Sequence, residues 1–143
     1  MPANQIARDP LAAKTAKVVQ EWFDLLSVHA PVERLLPFVS DTGLEMVFPE
    51  RTLHSHADFL DWYDMVGKAY TSQTHTVEEL SIHDNGDAVD AAVTVVWTAR
   101  QTSDGAQLAF RVNQEWQLEK VADDPGLRIV KYHIVEERRL SGP

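Results

Sequence analysis

His75 is the side chain whose type and place in this sequence best suit proton-transfer chemistry. It stands at the start of a strand-like segment, residues 74–83. An unperturbed imidazole titrates near neutral pH, so it can accept or release a proton during a reaction. The alternative is a structural histidine at a strand end whose ring bonds a backbone carbonyl. Both interpretations stay open at the level of sequence.

Other polar residues carry weaker signals. His54 and His56 stand two apart, a spacing that would suit a metal ion if both were on one face of a strand. They precede a helix start and no third ligand is placed near them, which favours a structural role. Arg111, Asn113 and Glu115 alternate along one strand face. That face is either a charged pocket wall or the polar outer side of a half-buried strand.

Gln114 is a lone polar side chain in the apolar row of the same strand. A buried amide needs a hydrogen-bond partner, which here is either a ligand or a neighbouring backbone group. Aromatic residues are spread along the chain, and a pocket lined by them suits a flat hydrophobic ligand better than a sugar or a phosphate. The predicted ligand-binding set is Trp22, Phe48, Trp62, Tyr63, Trp97, Phe110, Gln114, Trp116 and Tyr132.

Composition narrows the class of protein. The 143 residues fit one domain, and the net charge of −9 argues against nucleic acid as a partner. The absence of cysteine excludes disulfides and thiolate metal sites, and no glycine-rich nucleotide loop occurs, so we expect no cofactor and no metal. No apolar run reaches the roughly 18 residues of a membrane span, and no signal peptide opens the chain. We therefore expect no membrane association and a cytoplasmic location.

Helices followed by strands are predicted to position these residues. Asp9-Pro10 starts a helix that runs to about Val28, Pro31 opens a short second helix, and Ser55 caps a third. A short strand at 44–48 precedes four strands, predicted at 74–83, 88–100, 107–119 and 127–136. A phase slip near Glu78 predicts a β-bulge. Because helices and strands are segregated, the predicted fold class is α+β with a mostly antiparallel sheet.

Several short segments in this order resemble the SnoaL-like group of the nuclear transport factor 2-like superfamily, over residues 10–137. They are Trp22-Phe23, Leu44 to Pro49, His75-Thr76-Val77, Asn85-Gly86-Asp87-Ala88, Glu115-Trp116-Gln117-Leu118 and Arg128 to His133. The resemblance implies a cone-shaped, cystatin-like roll, in which three N-terminal helices pack on a curved sheet and leave a pocket. We expect one SnoaL-like domain at 10–137, a flexible leader at 1–9 and a C-terminal tail at 138–143.

The resemblance transfers few catalytic residues. Ketosteroid isomerases carry a general-base aspartate before a proline at the end of the first strand, where this sequence has Phe48. Their oxyanion-hole tyrosine falls near Glu21 or Trp22 of this sequence, so ketosteroid isomerase activity is not expected. Limonene-epoxide hydrolases use an Asp-Arg-Asp relay, for which only Asp90 and Arg111 are available. SnoaL-like cyclases use a histidine or aspartate as acid/base, and the resemblance implies this role for His75.

The segment 88–100 is apolar on both faces, so one face needs a cover other than the helices. A second subunit packed sheet to sheet would supply it, and we predict a homodimer. We expect a protein that binds a small hydrophobic or aromatic molecule, as a cofactor-independent isomerase, cyclase or dehydratase using acid/base catalysis. The alternative is a non-catalytic dimeric binding or interaction module. The discriminating feature is an ionisable group in an open cavity.

Overall fold

The computed structural model describes residues 9–141, in which two α-helices pack on one six-stranded sheet. The predicted leader falls outside this range except for Asp9. None of the described helices is both long and apolar enough to cross a membrane. The elements are α1 Pro10–Ser27, β1 Glu45–Val47, β2 Thr52–Leu53, α2 His56–Ala69, β3 Tyr70–Asn85, β4 Ala88–Gln101, β5 Gln107–Lys120 and β6 Leu127–Ser141.

Both α-helices begin at the predicted caps. The Asp9 carboxylate accepts the backbone N–H of Leu11 at 3.0 Å, and Pro10 occupies the first helical position. The Ser55 hydroxyl accepts the backbone N–H of Asp58 at 3.1 Å. These bonds satisfy backbone N–H groups that have no partner inside the helix.

The short second helix takes a different form from the α-helix expected after Pro31. The chain makes two 3₁₀ turns, Val32–Arg34 and Leu36–Phe38. Pro37 lies inside the second turn, and its nitrogen carries no hydrogen for an α-helical bond to residue 33. The 3₁₀ turns do not need an N–H from Pro37, because their hydrogen-bond donors are the backbone N–H groups of Arg34, Leu35, Phe38 and Val39.

The sheet has the strand order β2-β1-β6-β5-β4-β3. The four long strands form the predicted antiparallel meander, while β1 pairs in parallel with β6. The predicted bulge in β3 is confirmed by a register shift between Val77 and Glu79. The two-residue strand β2, which pairs with β1, was not predicted. The α+β class with a mostly antiparallel sheet is confirmed.

Strand β6 is longer and more irregular than predicted. It continues past residue 136 to Ser141, so residues 138–141, which were predicted as tail, belong to the strand. Its pairing with β5 shifts register three times, leaving without a partner Val130, Val135 and Leu140. Each extra residue reverses the face on which the following side chains lie. Because of the shift at Val135, the next side chain on the inner face after Ile134 is that of Glu137.

The centre of the core lies between α1 and the concave face of the sheet, at Trp22. This indole is fully buried, and its ring centroid lies within 6.4 Å of those of Phe38, Phe59, Trp116 and Tyr132. Burying a tryptophan removes a large apolar area from water, so these contacts contribute strongly to the stability of the roll. They also fill the closed end of the space between helices and sheet.

Candidate functional site

A cavity of about 160 Å³ opens between the two α-helices and the concave face of the sheet. An engineered protein cavity of about 150 Å³ holds one benzene molecule, so this space matches a single six-membered ring. The cavity is lined by Phe23, Leu26, His29, Phe48, Pro49, Glu50, Trp62, Tyr63, Val66, Tyr70, Gln73, His75, Val95, Trp97, Val112, Gln114, Tyr132, Ile134 and Glu137.

Seven of the predicted site residues line this cavity, and three lie elsewhere. The seven are His75, Phe48, Trp62, Tyr63, Trp97, Gln114 and Tyr132. Trp22 and Trp116 are almost fully buried in the aromatic core, where other rings separate them from the cavity. Phe110 lies beyond Trp97, with their ring centroids 6.0 Å apart, and is covered by the guanidinium of Arg139 at 5.7 Å.

His75 faces the cavity from β3, directly opposite Trp97 on β4. Its Nδ1 lies 3.0 Å from the Ser27 hydroxyl, and its ring stacks on Phe23 with centroids 5.4 Å apart. Burial in this apolar setting lowers the pKa of His75 to about 4. The imidazole is therefore neutral at physiological pH. Its observed partner is a hydroxyl rather than the backbone carbonyl of the structural alternative.

Tyr132 and Gln114 are buried polar residues that line the cavity. The Gln114 Oε1 accepts the indole N–H of Trp116 at 2.8 Å, so its protein partner is a side chain, which was neither of the two predicted alternatives, a ligand or a backbone group. Burial raises the pKa of Tyr132. The phenol consequently stays protonated and can donate a hydrogen bond to an oxygen.

Two carboxylates and a phenol that were not predicted stand at the cavity: Glu50, Glu137 and Tyr70. Glu50 and Glu137 are both exposed residues, yet partial desolvation raises the pKa of Glu137, and the negative charge of Glu50 raises it further. Burial also raises the pKa of Tyr70, with both carboxylates adding to the effect. The Trp62 indole N–H donates to Glu50 Oε1 at 3.4 Å. Among residues 9–141, neither carboxylate has a cationic side chain within ion-pair distance.

The irregular pairing of β6 explains why Glu137 was missed. Simple alternation from Tyr132 would carry Ile134 and Glu136 on the inner face. The extra residue Val135 moves Glu136 outward and brings Glu137 in. The adjacent apolar residues Ile134 and Val135 are a signal of this shift, comparable to the phase slip that predicted the bulge in β3.

His29 is a second histidine of the cavity that sequence analysis missed. Its ring stacks on Tyr63 with centroids 4.1 Å apart and planes inclined by 10°. The ring lies against α2 at Gly67, where a Cβ atom would come within 2.3 Å of Nε2. The Tyr63 hydroxyl donates to the backbone carbonyl of Ala30, and burial raises the pKa of Tyr63 to about 12. His29 and Tyr63 together form one wall.

Two of the remaining polar candidates, His56 and Arg111, have structural partners outside the cavity. The Nε2 of His56 lies 2.9 Å from the carbonyl oxygen of Val39, and no set of three or more metal-ligating side chains occurs within residues 9–141. On the outer face of the sheet, Arg111 binds Glu78 at 2.8 Å. This ion pair supports the interpretation that Arg111 belongs to the polar outer face of the sheet rather than to a pocket wall. Arg111 lies opposite Val96, six residues along β4 from Asp90, so these two residues do not form an epoxide-hydrolase relay.

Neither protein-family models nor curated proteins give a match to this sequence. Several solved structures, however, superpose on this chain. A protein from Novosphingobium aromaticivorans, provisionally described as an aromatic ring hydroxylase, superposes with a TM-score of 0.79 at 11% identity, over 94% of this chain and 96% of that chain. A nuclear transport factor 2-like superfamily protein from Salmonella enterica gives a TM-score of 0.76 at 18% identity, over 94% of each chain.

A type 2 hexachlorocyclohexane dehydrochlorinase also superposes, with a TM-score of 0.76 at 15% identity, over 92% of this chain and 89% of that chain. At such identities the similarity shows the fold alone, because one fold hosts many unrelated activities. The chain has the nuclear transport factor 2-like fold, and the predicted cone-shaped, cystatin-like roll is confirmed.

Proposed function

We propose that this protein binds a small organic molecule with one six-membered ring in the cavity and that His75 accepts a proton from it. The observation that carries the proposal is a neutral imidazole lining a largely apolar cavity of single-ring size. A neutral ring nitrogen is free to act as a base, whereas a protonated one is not. Two of the similar structures bear names that refer to ring compounds, an aromatic ring and hexachlorocyclohexane.

The polar groups of the cavity suggest a division of roles. His75 would take a proton from a carbon next to a carbonyl, and negative charge would develop on the carbonyl oxygen. Tyr132, which stays protonated, or Gln114 would orient this oxygen and donate a hydrogen bond to it. Because the pKa of His75 is about 4, the imidazole is a weak base, so stabilisation of the oxygen is essential to the reaction. This chemistry is that of a cofactor-independent isomerase, cyclase or dehydratase.

Deuterium exchange tests the proposal without knowledge of the natural substrate. The ring ketone 4,4-dimethylcyclohexanone has exchangeable hydrogens beside its carbonyl, and their loss in deuterated water can be followed by proton NMR. We expect the protein to accelerate exchange and His75→Ala to reduce the acceleration about a hundredfold while the ketone still binds. His54→Ala is the matched control, since it removes an exposed imidazole outside the cavity. Equal exchange with His75→Ala would refute the role of His75.

A non-catalytic binding module is the second candidate. The low pKa of His75 favours it, because such an imidazole is a poor base without strong help from its surroundings. In that case the ketone would bind with the same affinity in the wild-type protein and in His75→Ala, and no exchange above that in buffer would be seen. A cytoplasmic location and independence of cofactors are part of both proposals.

We also propose that a second copy of the chain covers the outer face of the sheet. This face carries a groove of about 530 Å³ with contributions from β3, β4, β5 and β6. Ala92 is exposed there, and Val96 is half-buried on the same side of β4. The Arg111–Glu78 pair joins β5 to β3 across β4, so the chain itself covers part of this apolar strip. The remainder supports a homodimer packed sheet to sheet.

A further inference from the structure

We infer that the ligand of the cavity is an organic cation, in which a small ring or compact alkyl group carries a protonated or quaternary nitrogen. The inference rests on the proposed small-molecule function and names the charge of its substrate. Its basis is the combination, in one ring-sized cavity, of two carboxylates and several aromatic faces. It concerns the charge of the ligand and does not depend on whether the protein is catalytic.

The carboxylates of Glu50 and Glu137 give the cavity a negative charge that the protein itself leaves uncompensated. Within residues 9–141, no lysine or arginine lines the cavity or lies within ion-pair distance of either group. The two carboxylates lie close enough for the charge of Glu50 to raise the pKa of Glu137. Like charges held near each other repel, and a cation between or beside them would relieve the repulsion.

Aromatic rings form another part of the cavity wall that a cation would meet. Phe48 stacks on Trp62 with ring centroids 4.4 Å apart, beside Glu50. On the sheet side, Tyr70 meets Trp97 edge to face with centroids 5.0 Å apart. The face of an aromatic ring attracts cations, and cages of such rings recognise quaternary ammonium groups. Rings and carboxylates therefore favour the same ligand charge.

Three other ionisable groups of the cavity do not oppose this charge. His75 is neutral because its pKa is about 4, so it adds no repulsion for a cation. Tyr132 and Tyr63 remain protonated because burial raises their pKa values. The whole chain carries a net charge of −9, which attracts cations toward the protein and repels anions. An anionic ligand would face two carboxylates without a partner of opposite charge.

Two probes of the same shape test the inference. N,N-dimethyl-4-oxopiperidinium has a permanent positive charge, and 4,4-dimethylcyclohexanone replaces its nitrogen with carbon. We expect the cation to bind the full chain at least tenfold more tightly in calorimetric titrations at low salt. Glu50→Gln and Glu137→Gln should each reduce this preference about threefold, since each removes one attraction from an exposed carboxylate that water partly screens. Gln at position 50 keeps an oxygen that can accept from Trp62.

The matched control is Glu136→Gln, which removes the same charge from the next residue of β6, on the outer face. We expect it to leave the preference for the cation within twofold of wild type. Equal binding of the two probes to the wild-type protein would overturn the cation inference and leave the proposed small-molecule function standing. Binding of neither probe would overturn both. An equal loss of preference in Glu136→Gln would show that net charge, rather than the cavity, selects the cation.

Discussion

Acidification should destabilise this protein through His75 in a way that one substitution can isolate. The side chain is packed against Phe23 and bonded to Ser27, and this burial lowers its pKa from 6.5 to about 4. In the unfolded chain the imidazole is exposed to water and binds a proton with its ordinary pKa of 6.5. Folding stability therefore depends on pH wherever one state is protonated and the other is not.

The direction and size of the effect follow from the two pKa values. Above pH 6.5 the ring is neutral in both states, and the native burial has its full stabilising value. As the pH falls from 6.5 to 4, the unfolded state gains the proton first, so stability is lost over this window. At about 1.36 kcal/mol per pH unit, the maximum loss is about 3 kcal/mol. Because the ring is partly exposed, solvent reduces this to about 2 kcal/mol.

Urea denaturation at a series of pH values from 7 to 4 measures the effect. Wild type and His75→Gln are compared, so that carboxylates common to both cancel. We expect the free energy of unfolding of wild type to fall by about 2 kcal/mol more than that of His75→Gln across the window. His54→Gln, at an exposed position, should follow wild type. Parallel curves for wild type and His75→Gln would refute the desolvated, neutral state of His75.

Three further predictions concern the walls of the cavity and the assembly. In Gly67→Ala, a Cβ 2.3 Å from His29 Nε2 displaces that ring from Tyr63. The gain in helix propensity of about 1 kcal/mol is then offset by lost stacking, so urea denaturation should show little change while titrations show altered affinity. A stability gain of the full amount with unchanged affinity would contradict this placement of His29. Tyr132→Phe should weaken binding of the ring ketone about tenfold at a stability loss near 1 kcal/mol, and unchanged affinity would exclude Tyr132 as the donor to the ketone. Light scattering should give twice the 16.1 kDa chain mass, and Ala92→Glu should give the monomer; a wild-type mass near 16.1 kDa would refute the homodimer.

The elements that the sequence predicts well are those with a local physical cause. Asp9 and Ser55 accept backbone N–H groups at helix starts, and both caps occur where expected. The β3–β4 hairpin turns at Gly86 and Asp87, between the paired residues Asn85 and Ala88, and Gly86 takes the positive φ of 80° that such a turn needs. The bulge in β3 was visible because apolar residues on one strand changed parity around Glu78.

The elements that the sequence misses depend on partners distant in the chain. Strand β2 has two residues, too few for any period, and exists because β1 lies beside it. The register shifts of β6 arise from its pairing with β5, and they decide that Glu137 rather than Glu136 faces the cavity. Glu50 follows a strand end and reaches the cavity through the loop between β1 and β2. The two carboxylates of the site, Glu50 and Glu137, were therefore not predicted, whereas most of its aromatic residues were.

The indole N–H signals of the four tryptophans offer the most direct test that the ligand enters the cavity beneath the sheet. Trp62 and Trp97 line that cavity, while Trp22 and Trp116 do not. In two-dimensional NMR spectra of ¹⁵N-labelled protein titrated with N,N-dimethyl-4-oxopiperidinium, we expect the largest shifts at Trp62 and Trp97. A titration that moves none of the four signals, or mainly those of Trp22 and Trp116, would contradict the proposed site.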